Sequence, residues 1–159
     1  MLDRILVDTS AWIEFFRKKE SPISFMLREA LKLNQVCYAG PIAGELFQGA
    51  KTSKEAQVID ELLESIHYVE VTQSHYHHAG EVSHKAARSG KSFSIVDLIL
   101  AVVGHDEQLR MLSLGLCSKG TSNLTKEPLT FAIWQFIMPY KILRWVNIKW
   151  RRLLINLGG

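Results

Sequence analysis

Three carboxylates in this chain lie in apolar surroundings, where an ionised side chain needs a partner. Asp8 follows the apolar run 5–7, and Asp97 lies within the very apolar run 95–103. Glu45 is a lone carboxylate in a third apolar, helix-like segment. Burying such a charge without a partner costs several kcal/mol. Clustered carboxylate oxygens suit Mg²⁺ or Mn²⁺, and such a metal can activate a water for attack on a phosphodiester.

Each of these three acids also has a simpler structural explanation. Asp8 is suitably placed to be the N-cap of a helix. Asp97 is predicted in the first turn of a helix, where a solvent-facing carboxylate interacts favourably with the helix dipole. Glu45, taken alone, is equally well explained as an exposed helical glutamate. The joint occurrence of all three at predicted strand–helix junctions favours the metal site.

The elements that would position these acids alternate between strands and helices. Residues 4–8, 35–39, 68–71 and 110–114 are predicted to be strands. Helices are predicted after Thr9-Ser10, from Ser21-Pro22, from Gly40-Pro41, from the cap Ser53, over 73–88, and from the cap Ser94 through 104. Such alternation predicts an α/β fold with a parallel sheet and helices on both faces. Ligands of such sheets bind beyond the carboxyl ends of the strands.

Composition excludes several classes of protein. The chain has 159 residues, 47% of them hydrophobic and 22% charged, which fits one globular domain. Two cysteines, Cys37 and Cys117, are too few for a disulfide-stabilised mini-protein or a four-thiolate zinc site. No Gly-rich phosphate loop of nucleotide-binding spacing is present. The segment from Met1 to Asp8 does not resemble a signal peptide, so we expect a cytoplasmic location.

The three acidic segments together resemble a known family. Residues 5–13 (ILVDTSAWI), 43–46 (AGEL) and 94–101 (SIVDLILA) are similar to PIN-domain ribonucleases of the VapC toxin type. The resemblance extends over about residues 3–114. It implies a three-layer α/β/α fold with a short parallel sheet, and Mg²⁺- or Mn²⁺-dependent hydrolysis of single-stranded RNA. It also implies the toxin role in a toxin–antitoxin pair, an antitoxin protein as partner, and a homodimer.

The resemblance assigns roles to particular residues. Asp8, Glu45 and Asp97 match the family's metal-binding and catalytic acids. Thr9 or Ser10 matches a hydroxyl that supports the site, and Ser113 matches the hydroxyl residue on the fourth strand.

One position departs from the family pattern. The family usually carries a fourth acid two residues beyond the hydroxyl of the fourth strand, and this chain has Gly115 there. Asp106 should point to the opposite helix face, Glu107 lies at the far end of that helix, and Glu127 requires a folded-back loop. The alternative function is therefore a catalytically impaired PIN domain that binds antitoxin or RNA.

The charge of the chain is unevenly distributed. Residues 1–127 hold 14 basic and 16 acidic residues, whereas residues 128–159 hold five basic and no acidic residues. We therefore divide the chain into a PIN-like domain, 1–127, and a C-terminal tail, 128–159. After Pro139 the tail is predicted to form a basic amphipathic helix. Packing on the body or on a second subunit is favoured over contact with RNA or a membrane surface.

A group of histidines on one predicted helix is the remaining candidate. His75, His77, His78 and His84 accompany Glu81 within residues 73–88. No zinc-site motif accompanies them, so a solvated helix face is favoured over a zinc site.

Overall fold

The computed structural model describes residues 4–18 and 20–114, which form four strands and six helices. In chain order the elements are β1 (Ile5–Val7), α1 (Thr9–Arg17), α2 (Pro22–Lys32), β2 (Val36–Ala39), α3 (Gly40–Gly49), α4 (Ser53–Glu64), β3 (His67–Val69), α5 (Gln73–Arg88), α6 (Ile95–Asp106) and β4 (Arg110–Leu112).

The four strands form one parallel sheet in the order β3-β2-β1-β4. β1 is hydrogen-bonded on both sides, with Ile5 opposite Val36 of β2 and opposite Arg110 of β4. The predicted α/β fold with a short parallel sheet is confirmed. The residue that follows β1 is thereby placed between the ends of two neighbouring strands.

The helices form two groups that cover the sheet. α1 contacts α2 and α3, α3 contacts α4, and α5 contacts α6. Right-handed crossovers from β1 to β2 and from β2 to β3 place α1–α4 on one face. The crossover from β3 back to β4 runs the other way and places α5 and α6 on the opposite face. The result is the three-layer architecture that the resemblance implies.

Local sequence signals set the starts of most helices. Ser21 caps α2 by accepting a hydrogen bond from the Ser24 backbone N–H, and Pro22 occupies the first helical position. α4 is capped by Thr52, whose hydroxyl accepts from the Glu55 N–H at 3.2 Å. The prediction of Ser53 as that cap was wrong by one residue, because adjacent hydroxyl residues offer equivalent caps to the sequence pattern.

The core lies on both sides of β1 and is dominated by α6. Every residue from Leu98 to Gly104 is buried, so this helix is apolar around its whole circumference. Gly104 lies so close to β4 that a Cβ there would be 3.2 Å from the Cγ and Sδ of Met111. The largest fully buried side chains come from α1, α2, α3, α5, α6 and the central strands: Trp12, Leu6, Leu27, Ile42, Leu98, Leu100, Val7, Val36, Val82, Val102 and Val103.

Within the part of the chain that the structure describes, no helix is long and apolar enough to cross a membrane. Gly115, Glu127 and the tail 128–159, with its predicted basic helix, lie outside the described residues.

Replacing Leu6 by alanine should lower the free energy of unfolding by about 3 kcal/mol, because the fully buried side chain leaves a cavity beneath the central strand. Urea denaturation followed by circular dichroism measures this change. The matched control is Leu33→Ala, at a side chain that is 62% exposed, which should change the free energy by less than about 0.5 kcal/mol. Equal losses for both variants would contradict the assigned core.

Candidate active site

Asp8 is held in place by the backbone on either side of it. It follows β1, and its N–H donates to the carbonyl oxygen of Leu112 at the end of β4, at 2.9 Å. Its own carbonyl oxygen accepts from the N–H groups of Ala11 and Trp12 in the first turn of α1. Its side chain also caps α1, so the N-cap interpretation is correct. Asp8 is only 7% exposed, so the cap coexists with a buried, rigidly positioned carboxylate.

Two serine hydroxyls orient the Asp8 carboxylate. Its Oδ2 accepts from the Ser10 hydroxyl at 2.5 Å, from the Ser113 hydroxyl at 3.0 Å and, more weakly, from the Ser10 N–H at 3.4 Å. The two hydroxyl oxygens lie 3.3 Å apart, and the Leu114 N–H donates to Ser10 Oγ at 3.2 Å. All hydrogen bonds to this carboxylate from the described residues go to Oδ2, so Oδ1 keeps its lone pairs for another ligand.

The structure distinguishes between the two hydroxyl residues that follow Asp8. Ser10 makes the contact with the carboxylate, together with Ser113. The hydroxyl oxygen of Thr9 is buried and has no hydrogen-bond partner among the described residues, and the same is true of Trp12 Nε1. Within the pair that the sequence left open, Ser10 is therefore the residue that orients Asp8.

Asp97 lies in the first turn of α6, and its carboxyl group is half-buried. Burial, followed by the charges of Asp8 and Glu45, raises its pKa from the ordinary 3.8 to about 6. The three acids predicted from the sequence therefore lie within electrostatic range of one another. No described residue donates a hydrogen bond to the side chain of Asp97 or forms an ion pair with it.

Glu45 lies on α3, which begins directly after β2, the neighbour of β1. Its side chain is exposed, as the simpler interpretation of a helical glutamate expects. Its charge nevertheless contributes to the raised pKa of Asp97. Glu45 thus combines access to solvent with proximity to the buried acids.

The donor chemistry of this group suits a hard divalent cation. All three side chains offer carboxylate oxygens, two of them accept no hydrogen bond from a described residue, and the third has one oxygen available. No group of three or more His, Cys, Asp or Glu side chains within residues 4–18 and 20–114 converges closely enough to hold a metal ion by itself. Mg²⁺ commonly keeps several waters and binds only one or two carboxylates directly, so a closed cage is not required.

The acids considered as substitutes for the missing fourth carboxylate are engaged elsewhere. Asp106 lies at the C-terminal end of α6, about 13 Å along the helix axis from Asp97. Its carboxylate oxygens lie 2.7 Å from His105 Nδ1 and 3.3 Å from His78 Nδ1. Glu107 lies 3.8 Å from Nε2 of the buried His75. α6 leads from this end into β4, so these acids lie at the opposite edge of the sheet from Asp8.

The contacts of Asp106 outweigh its burial. Burial by itself would raise the pKa of Asp106, but hydrogen bonds from His105 and His78, together with their charges, bring it below the ordinary value of 3.8. This carboxylate therefore links α5 to α6 as a structural group.

The histidines of α5 divide into structural and exposed members. His75 is only 4% exposed, and its Nδ1 accepts from the Thr72 N–H at 3.1 Å, which completes the start of α5. The prediction of a solvated face was wrong for this residue, because a histidine at the third helical position can take the role of a capping glutamate. His77 and His78 line an open depression of about 400 Å³ with Gln73, Ser74 and Glu81.

A four-stranded parallel sheet between two helical layers, with clustered carboxylates where β1, β2 and β4 end, defines a class of α/β proteins with an acidic site at one sheet edge. The family model described as "PIN domain" matches residues 5–114. The chain belongs to the PIN domain family.

Several solved structures share this fold. A VapBC complex bound to DNA from Salmonella typhimurium is similar with a TM-score of 0.57 and 18% identity, over 71% of this chain and 98% of that one. FitAcB from Neisseria gonorrhoeae has a TM-score of 0.55 and 19% identity, over 67% and 84% of the respective chains. VapC20 of Mycobacterium tuberculosis has a TM-score of 0.52 and 16% identity, over 69% and 88%. No curated protein sequence matches this chain significantly.

Replacing Asp97 by asparagine should raise the free energy of unfolding at pH 7.5 in a metal-free buffer. The protonated native carboxyl group contributes stability below pH 3.8, and this contribution is lost as the pH rises through about 6. A neutral amide avoids that loss, and we expect a gain of about 1 kcal/mol after allowance for solvent screening. Urea titrations at pH 3.5 and 7.5 measure it. The control Asp60→Asn, on exposed α4, should show no such pH dependence, and an unchanged stability of Asp97→Asn at pH 7.5 would contradict the coupling.

Replacing Ser10 by alanine should destabilise the protein by about 1 to 2 kcal/mol, because Asp8 loses a hydrogen-bond donor and the Leu114 N–H loses its acceptor. Thermal unfolding in metal-free buffer compares this variant with Ser92→Ala, at an exposed position before α6. If both variants melt like the parent, the serine contact does not stabilise the strand ends.

Proposed function

We propose that this protein is a divalent-metal-dependent endoribonuclease and the toxin of a toxin–antitoxin pair. The carrying observation is the electrostatic coupling of Asp97 with Asp8 and Glu45 at the carboxyl edge of a PIN-domain sheet. Mutual repulsion among three carboxylates is relieved by a bound cation. The proposed cofactor is Mg²⁺ or Mn²⁺, and the proposed location is the cytoplasm.

Each residue of the site has a distinct role in this proposal. Bound metal would supply an activated water and positive charge beside the scissile phosphate. Asp8 offers Oδ1 as a ligand while Ser10 and Ser113 fix Oδ2, which keeps the carboxylate in one orientation. Asp97 and Glu45 supply the other carboxylates, and the exposed Glu45 leaves the site open to a polymeric substrate such as single-stranded RNA.

The partners proposed for this chain are an antitoxin protein and a second copy of itself. The similar structures include complexes named VapBC, FitAcB and, from Klebsiella pneumoniae, a toxin–antitoxin complex. α1 and α2, which pack together, expose large apolar side chains at Ile13, Phe16 and Phe25. Such side chains favour an apolar protein partner.

The decisive experiment is cleavage of a mixed-sequence single-stranded RNA by the purified full chain with Mn²⁺ and with chelator. Cleavage should require the metal and should fall by at least roughly 100-fold in Asp97→Asn and Glu45→Gln, because each substitution removes a negative charge that attracts the cation. The controls Asp60→Asn and Glu61→Gln make the same chemical changes on exposed α4 and should retain activity.

The alternative function predicts a different pattern in the same assay. A folded parent chain without metal-dependent cleavage would support a catalytically impaired PIN domain that binds antitoxin or RNA. In that case Gly115→Asp, which supplies the family's fourth acid, should create cleavage. Cleavage that persists in Asp97→Asn or in chelator would contradict the proposed active site.

A further inference from the structure

The acidic site described above contains charge that no described residue neutralises. Asp97 is half-buried, and neither it nor Glu45 forms an ion pair within residues 4–18 and 20–114. Elsewhere in that part of the chain, acids such as Glu14 and Glu29 have a lysine partner, at 3.4 Å and 2.7 Å respectively. The site therefore favours any cationic group that can reach it.

The chain leaves the described structure at this same site. Ser113 donates its hydroxyl to Asp8, and the N–H of the next residue, Leu114, donates to Ser10 Oγ. Residues 115–159 are therefore tethered within one residue of the carboxylate cluster. Leu114 itself is 47% exposed, so the exit is open to solvent.

The tethered segment has the complementary charge. Residues 115–159 hold seven basic residues and one acid, whereas residues 1–114 hold 12 basic and 15 acidic residues. The segment also holds Trp134, Trp145 and Trp150, three of the four tryptophans. It thus combines cations with large apolar groups, as a segment that binds a protein surface does.

We propose that the basic segment 115–159 docks in cis on the carboxylate cluster of Asp97 and Glu45 and competes there with the divalent metal and the RNA. The inference rests on the proposed function, since it adds regulation to that same site. Lysine or arginine groups take the place that the metal would occupy, so the undocked chain is the form that binds metal.

Chain length allows this contact. Lys119 is five residues beyond Leu114, a span of at most about 17 Å, and the later basic residues have proportionally more reach. Tethering converts docking into an intramolecular event, which gives the cations a high effective concentration at the site. Asp60 and Glu64 on α4 are exposed and hydrated, so a cation gains less there than beside half-buried Asp97.

Zero-length carbodiimide cross-linking of the full chain tests the contact without relying on metal or activity. Peptide mapping should find amides that join lysines of the segment to Asp97 or Glu45, and Asp97→Asn should remove those at Asp97. Cross-links from these lysines that fall equally on Asp60 and Glu64 would overturn docking at the site. This result stands or falls independently of RNA cleavage, so it separates failure of the docking from failure of the proposed function.

Metal affinity tests the competition. A full-chain variant with Lys141, Arg144, Lys149, Arg151 and Arg152 changed to glutamine should bind Mn²⁺ about tenfold more tightly than the parent, measured by electron paramagnetic resonance. The matched control makes the same loss of five charges at exposed positions of the body: Lys32, Lys51, Lys54, Lys85 and Arg88, all changed to glutamine.

The two variants separate the possible results. A tighter affinity in the tail variant alone supports docking on the site. Equal affinities in both variants overturn the competition, because general charge then explains any change. A tail variant that loses RNA binding at unchanged Mn²⁺ affinity also overturns it and assigns the basic segment to RNA.

Discussion

The central constraint on this molecule is the placement of three like charges at one edge of a short parallel sheet. Asp8, Asp97 and Glu45 repel one another, and the raised pKa of Asp97 records that repulsion together with burial. A free chain would separate such charges. The packed strands and helices keep them together, so part of the folding free energy opposes their repulsion, and a cation at the site returns it.

The surrounding structure is organised to tolerate this charge. β1 is the strand with neighbours on both sides, and α6 is buried along almost its whole length, so the backbones that carry Asp8 and Asp97 are anchored by the core. Ser10 and Ser113 stabilise one oxygen of Asp8. The other two acids lack such donors, which concentrates the demand for positive charge on the open side of the site.

Much of the fold follows from local patterns, and the differences have local causes. β1, β2 and α3 appear within one residue of their predicted positions, because apolar runs followed by Gly-Pro or a capping group mark the boundaries. β4 ends at Leu112 rather than at residue 114, since Ser113 and Leu114 leave the sheet to contact Ser10 and Asp8. That ending serves the site and has no counterpart in periodicity.

By itself, the sequence determined the residue types, the strand–helix alternation and the three acids, because burial of a charge and the spacing of apolar residues are visible along the chain. Only the tertiary structure decided which groups meet. Ser113 reaches Asp8 across 105 positions, and Asp106 binds His78 instead of joining the acids. These contacts depend on the strand order β3-β2-β1-β4, which brings β4 beside β1, and no local pattern encodes that order.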